Sequence, residues 1–110
     1  MTRLPMSSAG AALLRALLAR AGINLDRILL TDYRSTDWQS LTFVGERHEM
    51  RFRIPGPNAG EAYRTVTSDL AESEVTVSRQ ILADIAIFGT PTYEADGSIS
   101  FGIEALTIEE

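Results

Sequence analysis

Between Leu13 and Ala21 apolar residues recur at helical spacing, with Leu13, Leu14, Leu17, Leu18 and Ala21 on one side and Arg15 and Arg20 on others. This stripe predicts a one-sided helix over about 9–21, capped by Ser7 or Ser8 and stopped by Gly22 in the left-handed region. "DRILLTDY" predicts a strand near 27–33 and "RSTD" a turn after it. The pattern then conflicts with itself. In "WQSLTF" the apolar Leu41 and Phe43 are odd-numbered, whereas in "HEMRFRI" Met50, Phe52 and Ile54 are even. One uninterrupted strand cannot hold both sets on one face. A hairpin with Gly45-Glu46 as a type II′ loop removes the conflict, placing Phe43 across from His48, Leu41 from Met50 and Gln39 from Phe52.

"PGPN" ends that strand, and Asn58 with Glu61 resembles a capping box for a second helix over about 59–71. Ala59, Ala62, Tyr63, Val66 and Leu70 would share its inner side. A long strand over about 76–93 follows, then an Ala95-Asp96-Gly97 loop with Gly97 left-handed, then a last strand over 98–108. In that register Tyr93 faces Ile99, Pro91 faces Phe101, Ile87 faces Ala105 and Ile85 faces Thr107. Pro91 lacks a donor, which predicts a bend or a sheet edge near 89–91.

The expected fold class is α+β: two layers, a mainly antiparallel sheet of about five strands with two helices, in the order α-β-β-β-α-β-β. The chain reads as a single domain over 1–110, with 1–7 a flexible N-terminus. This element order, with the short acidic chain, is similar to that of type III secretion chaperones, and the resemblance implies a chaperone or adaptor role.

Composition narrows the chemistry. The chain has no cysteine and one histidine, which excludes thiolate zinc sites and redox-thiol chemistry; no metal and no cofactor is expected. The net charge of −5 is uneven: residues 1–25 hold three arginines and no acid, whereas 58–110 hold ten acids against two arginines. Such an acidic half argues against a nucleic-acid partner. All ten basic residues are arginine, read here as a GC-rich, bacterial-like coding bias. Arg15 and Arg20 interrupt the first apolar stretch, so no signal core or membrane span is expected there, and the protein is read as soluble and cytoplasmic.

Two groups of residues could carry function. His48 reads as a rim residue at the turn end of the sheet, or as a general base with Arg47 and Gln39 as orienting groups. On the opposite face of the proposed hairpin, Trp38 falls across from Arg53 and Ser40 from Arg51, an arrangement open to cation-π or anion contacts and equally to a solvated face. "GPNAG" has neither the Lys-Ser/Thr of a P-loop nor a dinucleotide fingerprint.

The last hairpin is greasy on both sides. Behind its inner set Ile85, Ile87, Ile99, Phe101 and Ile103 stand Leu82, Ala86, Phe88, Leu106 and Ile108. An antiparallel sheet with one wet face should alternate apolar and polar, so the second set is expected to be an interface. Either a second chain covers it, as a homodimer, or helix 1 does. The function expected is a non-enzymatic homodimeric protein-interaction module or an adaptor- or chaperone-like domain. The alternative is a small-ligand-binding protein or hydrolytic enzyme with a pocket near His48.

Overall fold

A computed structural model describes residues 5–72, 75, 77 and 79–110. Helix α1 spans Ser8–Ala21. The Ser7 side chain accepts from the Gly10 amide at its start, and Gly22 (φ 67°) ends it, with Ile23 N–H reaching back to Leu18 O. A 3-10 turn at Leu25–Arg27 leads into strand β1, Leu29–Gln39, which turns at 40–43 into β2, Val44–Ile54. Helix α2 is Ala59–Thr67, and a second 3-10 turn, Leu70–Glu72, keeps Leu70 in the core. Strands β3, Gln80–Tyr93, and β4, Ile99–Glu109, complete the chain. The expectation of a strand from about 76 concerns residues 76 and 78, which lie outside the described ones, as do residues 1–4 of the expected N-terminal arm.

The described residues form a four-stranded antiparallel sheet in the order β1-β2-β4-β3, not about five strands. The element order is α-β-β-α-β-β, so the third early strand, on which the likeness to secretion chaperones depended, is missing. The two strands expected at 27–33 and after 37 are one, because "RSTD" continues β1 instead of turning. β1 lies on a sheet edge, and an edge strand tolerates polar residues on both sides. The hairpin loop is therefore at 40–43 and not at Gly45-Glu46. His48 pairs with Ser35, Met50 with Tyr33 and Phe52 with Leu30, and an irregularity at Thr31 resets the pleat. Phe43 and Leu41, expected in the core, sit at the exposed tip.

Alternation decides the layers. From β4, Ile99, Phe101, Ile103, Ala105 and Thr107 point to the helices, where Met50, Phe52 and Ile54 of β2 join Leu13, Leu17, Ala62 and Val66 in one buried cluster. Phe52 stacks on Phe101, with the Tyr63 ring edge-on to it. Both helices lie on this side, so helix α1 does not cover the other face. Arg20 fastens the helical layer, donating to Val66 O in the last turn of α2 and to Ser68 O just past its end. At the start of α2, Asn58 makes no side-chain cap and is itself left-handed (φ 68°), so the capping box does not form.

In the last hairpin the expected turn holds: Gly97 has φ 87°, and Tyr93 pairs with Ile99. Beyond it the register slips by two, because the segment around Gly89 and Pro91 bulges. Ile87 then meets Ile103 and Ile85 meets Ala105. A second irregularity at Ala83 flips the pleat again, turning Leu82 toward the core and Ile81 outward.

Candidate functional site

His48 sits in mid-β2, where the pleat turns it under the helices, and it is 0% exposed. Its Nδ1 lies 2.8 Å from the Tyr33 hydroxyl of β1, and its Nε2 lies 2.8 Å from Thr107 Oγ1 of β4. Tyr33 Oη is in turn 3.2 Å from Ser7 Oγ, the cap of α1. One direction gives each buried hydrogen an acceptor: Thr107 donates to Nε2, Nδ1–H donates to Tyr33, and Tyr33 donates to Ser7. Ser7, half-buried, is left with its own hydrogen toward solvent. Gly10 makes this relay possible, since a side chain there would collide with the Tyr33 hydroxyl. Burial pushes the imidazole pKa below its ordinary value, and Glu46 opposes this only in part. The neutral ring is therefore a tie between α1, β1, β2 and β4. His48 is not at the rim of the sheet but enclosed beneath the helices, with none of its surface open to solvent.

The residues grouped with His48 are dispersed. Arg47 points to the opposite side of β2, and Gln39 pairs with Val44 at the hairpin tip. Trp38 is not across from Arg53: it pairs with Gly45 at one end of the sheet, while Arg53 pairs with Leu29 at the other. What Arg53 does hold is the β3–β4 turn. Its Nε donates to Glu94 at 2.9 Å and its Nη2 to Asp96 at 2.7 Å, while the Ser98 hydroxyl stands within reach of both carboxylates. The Ser98 hydrogen bonds, followed by the contacts with Arg53, lower both carboxyl pKa values.

The outer face of the sheet can be read row by row across β1, β2, β4 and β3. The first row is Trp38, Gly45, Ile108 and Ile81; the second is Thr36, Arg47, Leu106 and Asp84; the third is Arg34, Glu49, Glu104 and Ala86. The fourth is Asp32, Arg51, Gly102 and Phe88, and the fifth Leu29, Arg53, Ser100 and Thr92. Of the expected interface set, Ala86, Phe88, Leu106 and Ile108 share this face, and Leu82 does not. Ile81, 49% exposed, takes its place. Phe88 lies flat over Gly102, where a side chain would strike its ring, and the Arg51 guanidinium sits 5.1 Å from the ring centroid. Sequence reasoning missed this contact because the bulge at 89–91 decides which residue Phe88 faces. The face carries Arg34, Arg47, Arg51 and Arg53 against Asp32, Glu49, Asp84 and Glu104, so the net charge of −5 resides elsewhere. Among the described residues, Arg53 alone of these eight forms an ion pair.

No group of three or more His, Cys, Asp or Glu among the described residues could hold a metal ion, and no described helix is long and apolar enough to cross a membrane. No family model, no curated protein and no solved structure matches the chain.

Proposed function

We propose that the protein is a non-enzymatic interaction module that works as a homodimer, with the outer face of its sheet as the contact surface. The observation that carries this reading is that both helices lie on one side, leaving five cross-strand rows with no covering element among the described residues. Strands about 4.8 Å apart and rows about 6.8 Å apart give a face on the order of 600 Å² per chain. Two such faces together reach the lower end of the ~1,200–2,000 Å² typical of stable interfaces. A second copy fits better than an unrelated partner because the face holds both signs of charge in equal number, as a self-complementary surface must. The sheet edges are defended: β1 carries Asp32, Arg34 and Asp37 and an irregularity, and β3 is broken by the Gly89–Pro91 bulge.

The apolar end row anchors the contact, with Ile81 half exposed, Ile108 and Trp38 partly exposed and Leu106 at 9% beside them. A ligand site at His48 has less support, because a base must come within ~3 Å of the proton it takes and this ring is enclosed. Light scattering behind size-exclusion chromatography tests the proposal. Wild type should run at twice the 12.0 kDa chain mass, and Ile81→Asp with Ile108→Asp should return it to one chain with unchanged circular dichroism. Wild type at one chain mass at every concentration overturns the reading.

A further inference from the structure

We infer that the two copies meet about a two-fold axis parallel to the strands, with β2 of one chain over β4 of the other; this rests on the homodimer proposed above. Two sheets packed face to face keep their strands roughly aligned and stand about 10 Å apart. A two-fold axis lying between them can then run along the strands or across them. An axis across the strands preserves the strand position and reverses the rows. It stacks Arg34 on the partner's Arg34, Glu49 on the partner's Glu49 and Arg47 on the partner's Arg51, so the whole middle of the interface is like on like. Desolvating such pairs is costly.

An axis along the strands keeps each row against itself and exchanges β1 with β3 and β2 with β4. The apolar row then closes on itself: Trp38 lies over the partner's Ile81, and Ile108 over the partner's Gly45. Arg47 covers the partner's Leu106 with its aliphatic stem and brings its guanidinium to the partner's Asp84. One kind of like-charge stack remains, occurring twice by symmetry, Glu49 over the partner's Glu104 and Glu104 over the partner's Glu49, flanked by Arg47 and Arg51 of both chains. The register thus selects the axis. Both hairpin tips, with Leu41 fully exposed and Phe43 half exposed, come to the same end of the dimer.

The chain has no cysteine, so single introduced thiols report the arrangement without background. With the axis along the strands, Ile108 stands beside the partner's Ile108, and Ile108→Cys alone should be joined into a covalent dimer by a short bismaleimide. Across the strands, Ile108 would face the partner's Ser100, about 27 Å along the sheet from the partner's Ile108. Cross-linking only on mixing Ile108→Cys with Ser100→Cys therefore overturns the axis and leaves the homodimer standing. A wild-type dimer with neither product places the contact elsewhere and overturns both statements, as does a monomeric wild type. Leu25→Cys, grouped with the helix α1 residues Arg15, Leu18 and Ala19 and 73% exposed, controls for random collision and should give no dimer.

Discussion

Because His48 is enclosed and hydrogen-bonded only to hydroxyl groups, its charge state is tied to folding. The unfolded imidazole titrates near 6.5, and burial holds the folded one lower. Between those two values only the unfolded chain binds the proton, so stability is fully present above about pH 7. It is lost as pH falls through 6.5, and the loss levels off below the folded pKa. Each pH unit in that window removes about 1.4 kcal/mol. His48→Gln should cost about 2 kcal/mol at pH 7.5, by loss of fit and of the bonds to Tyr33 and Thr107. The gap between variant and wild type in urea unfolding should then narrow toward pH 5. A gap that stays constant over pH 5–7.5 would mean that the ring titrates alike in both states. The sequence singled out this histidine and placed it on the same side as Met50. Its burial escaped the reading because that depends on Tyr33 and Thr107, which are 15 and 59 residues away in the chain.

Among the elements, the second hairpin was the more legible. Gly97 is left-handed, Asp96 accepts from the Ser98 amide, and Arg53 reaches across from β2 to both turn carboxylates. A Cβ at Gly97 would meet little, so Gly97→Ala should cost about 1–2 kcal/mol through backbone strain alone. Arg53→Gln should cost less, since its bridges are exposed and screened. Chemical unfolding of both variants checks the order; if Arg53→Gln proves the more damaging, the salt bridges and not the glycine set the turn. The first hairpin was misread for a physical reason. Parity arguments assume that every apolar residue seeks the core, and Leu41 and Phe43 do not. With those two removed from the count, β1 runs through the polar "RSTD" segment without contradiction. Both helices and the Gly22 stop were readable because those signals are local, although Ser7 and Ser8 were equal candidates for the cap of α1 and α2 was carried to about 71 where it ends at Thr67. The irregularities near Thr31 and Ala83 were not, because a bulge is visible only against the partner strand; the one at 89–91 was, as a bend on an edge strand, because Pro91 lacks a donor, and only the size of its register slip was not.

At the scale of the whole molecule, 47 × 31 × 23 Å, one sheet backed by one helical layer accounts for the short dimension. Among the described residues nothing covers its other side. The greasy second face of β4 was legible from alternation alone, but its true character was not. Strand order β1-β2-β4-β3 sets Arg47 beside Leu106, with Arg51 and Arg53 farther along against Gly102 and Ser100, converting an apolar patch into a mixed one whose apolar end is at Ile108. That mixture leaves one unfavourable feature at the centre, Glu49 directly across from Glu104 in the same sheet, a like-charge cross-strand pair. In the proposed dimer Glu49 also faces the partner's Glu104, and Glu104 the partner's Glu49, so four carboxylates converge on the axis. Removing one charge per chain by Glu104→Gln should therefore tighten association beyond any gain in monomer stability. A relief of about 1 kcal/mol corresponds to roughly a five-fold lower dissociation constant. Sedimentation equilibrium measures that constant directly, separately from the unfolding midpoint. A variant that unfolds later but dimerises no more tightly would show that the carboxylates repel only within their own sheet and that the interface lies away from its centre.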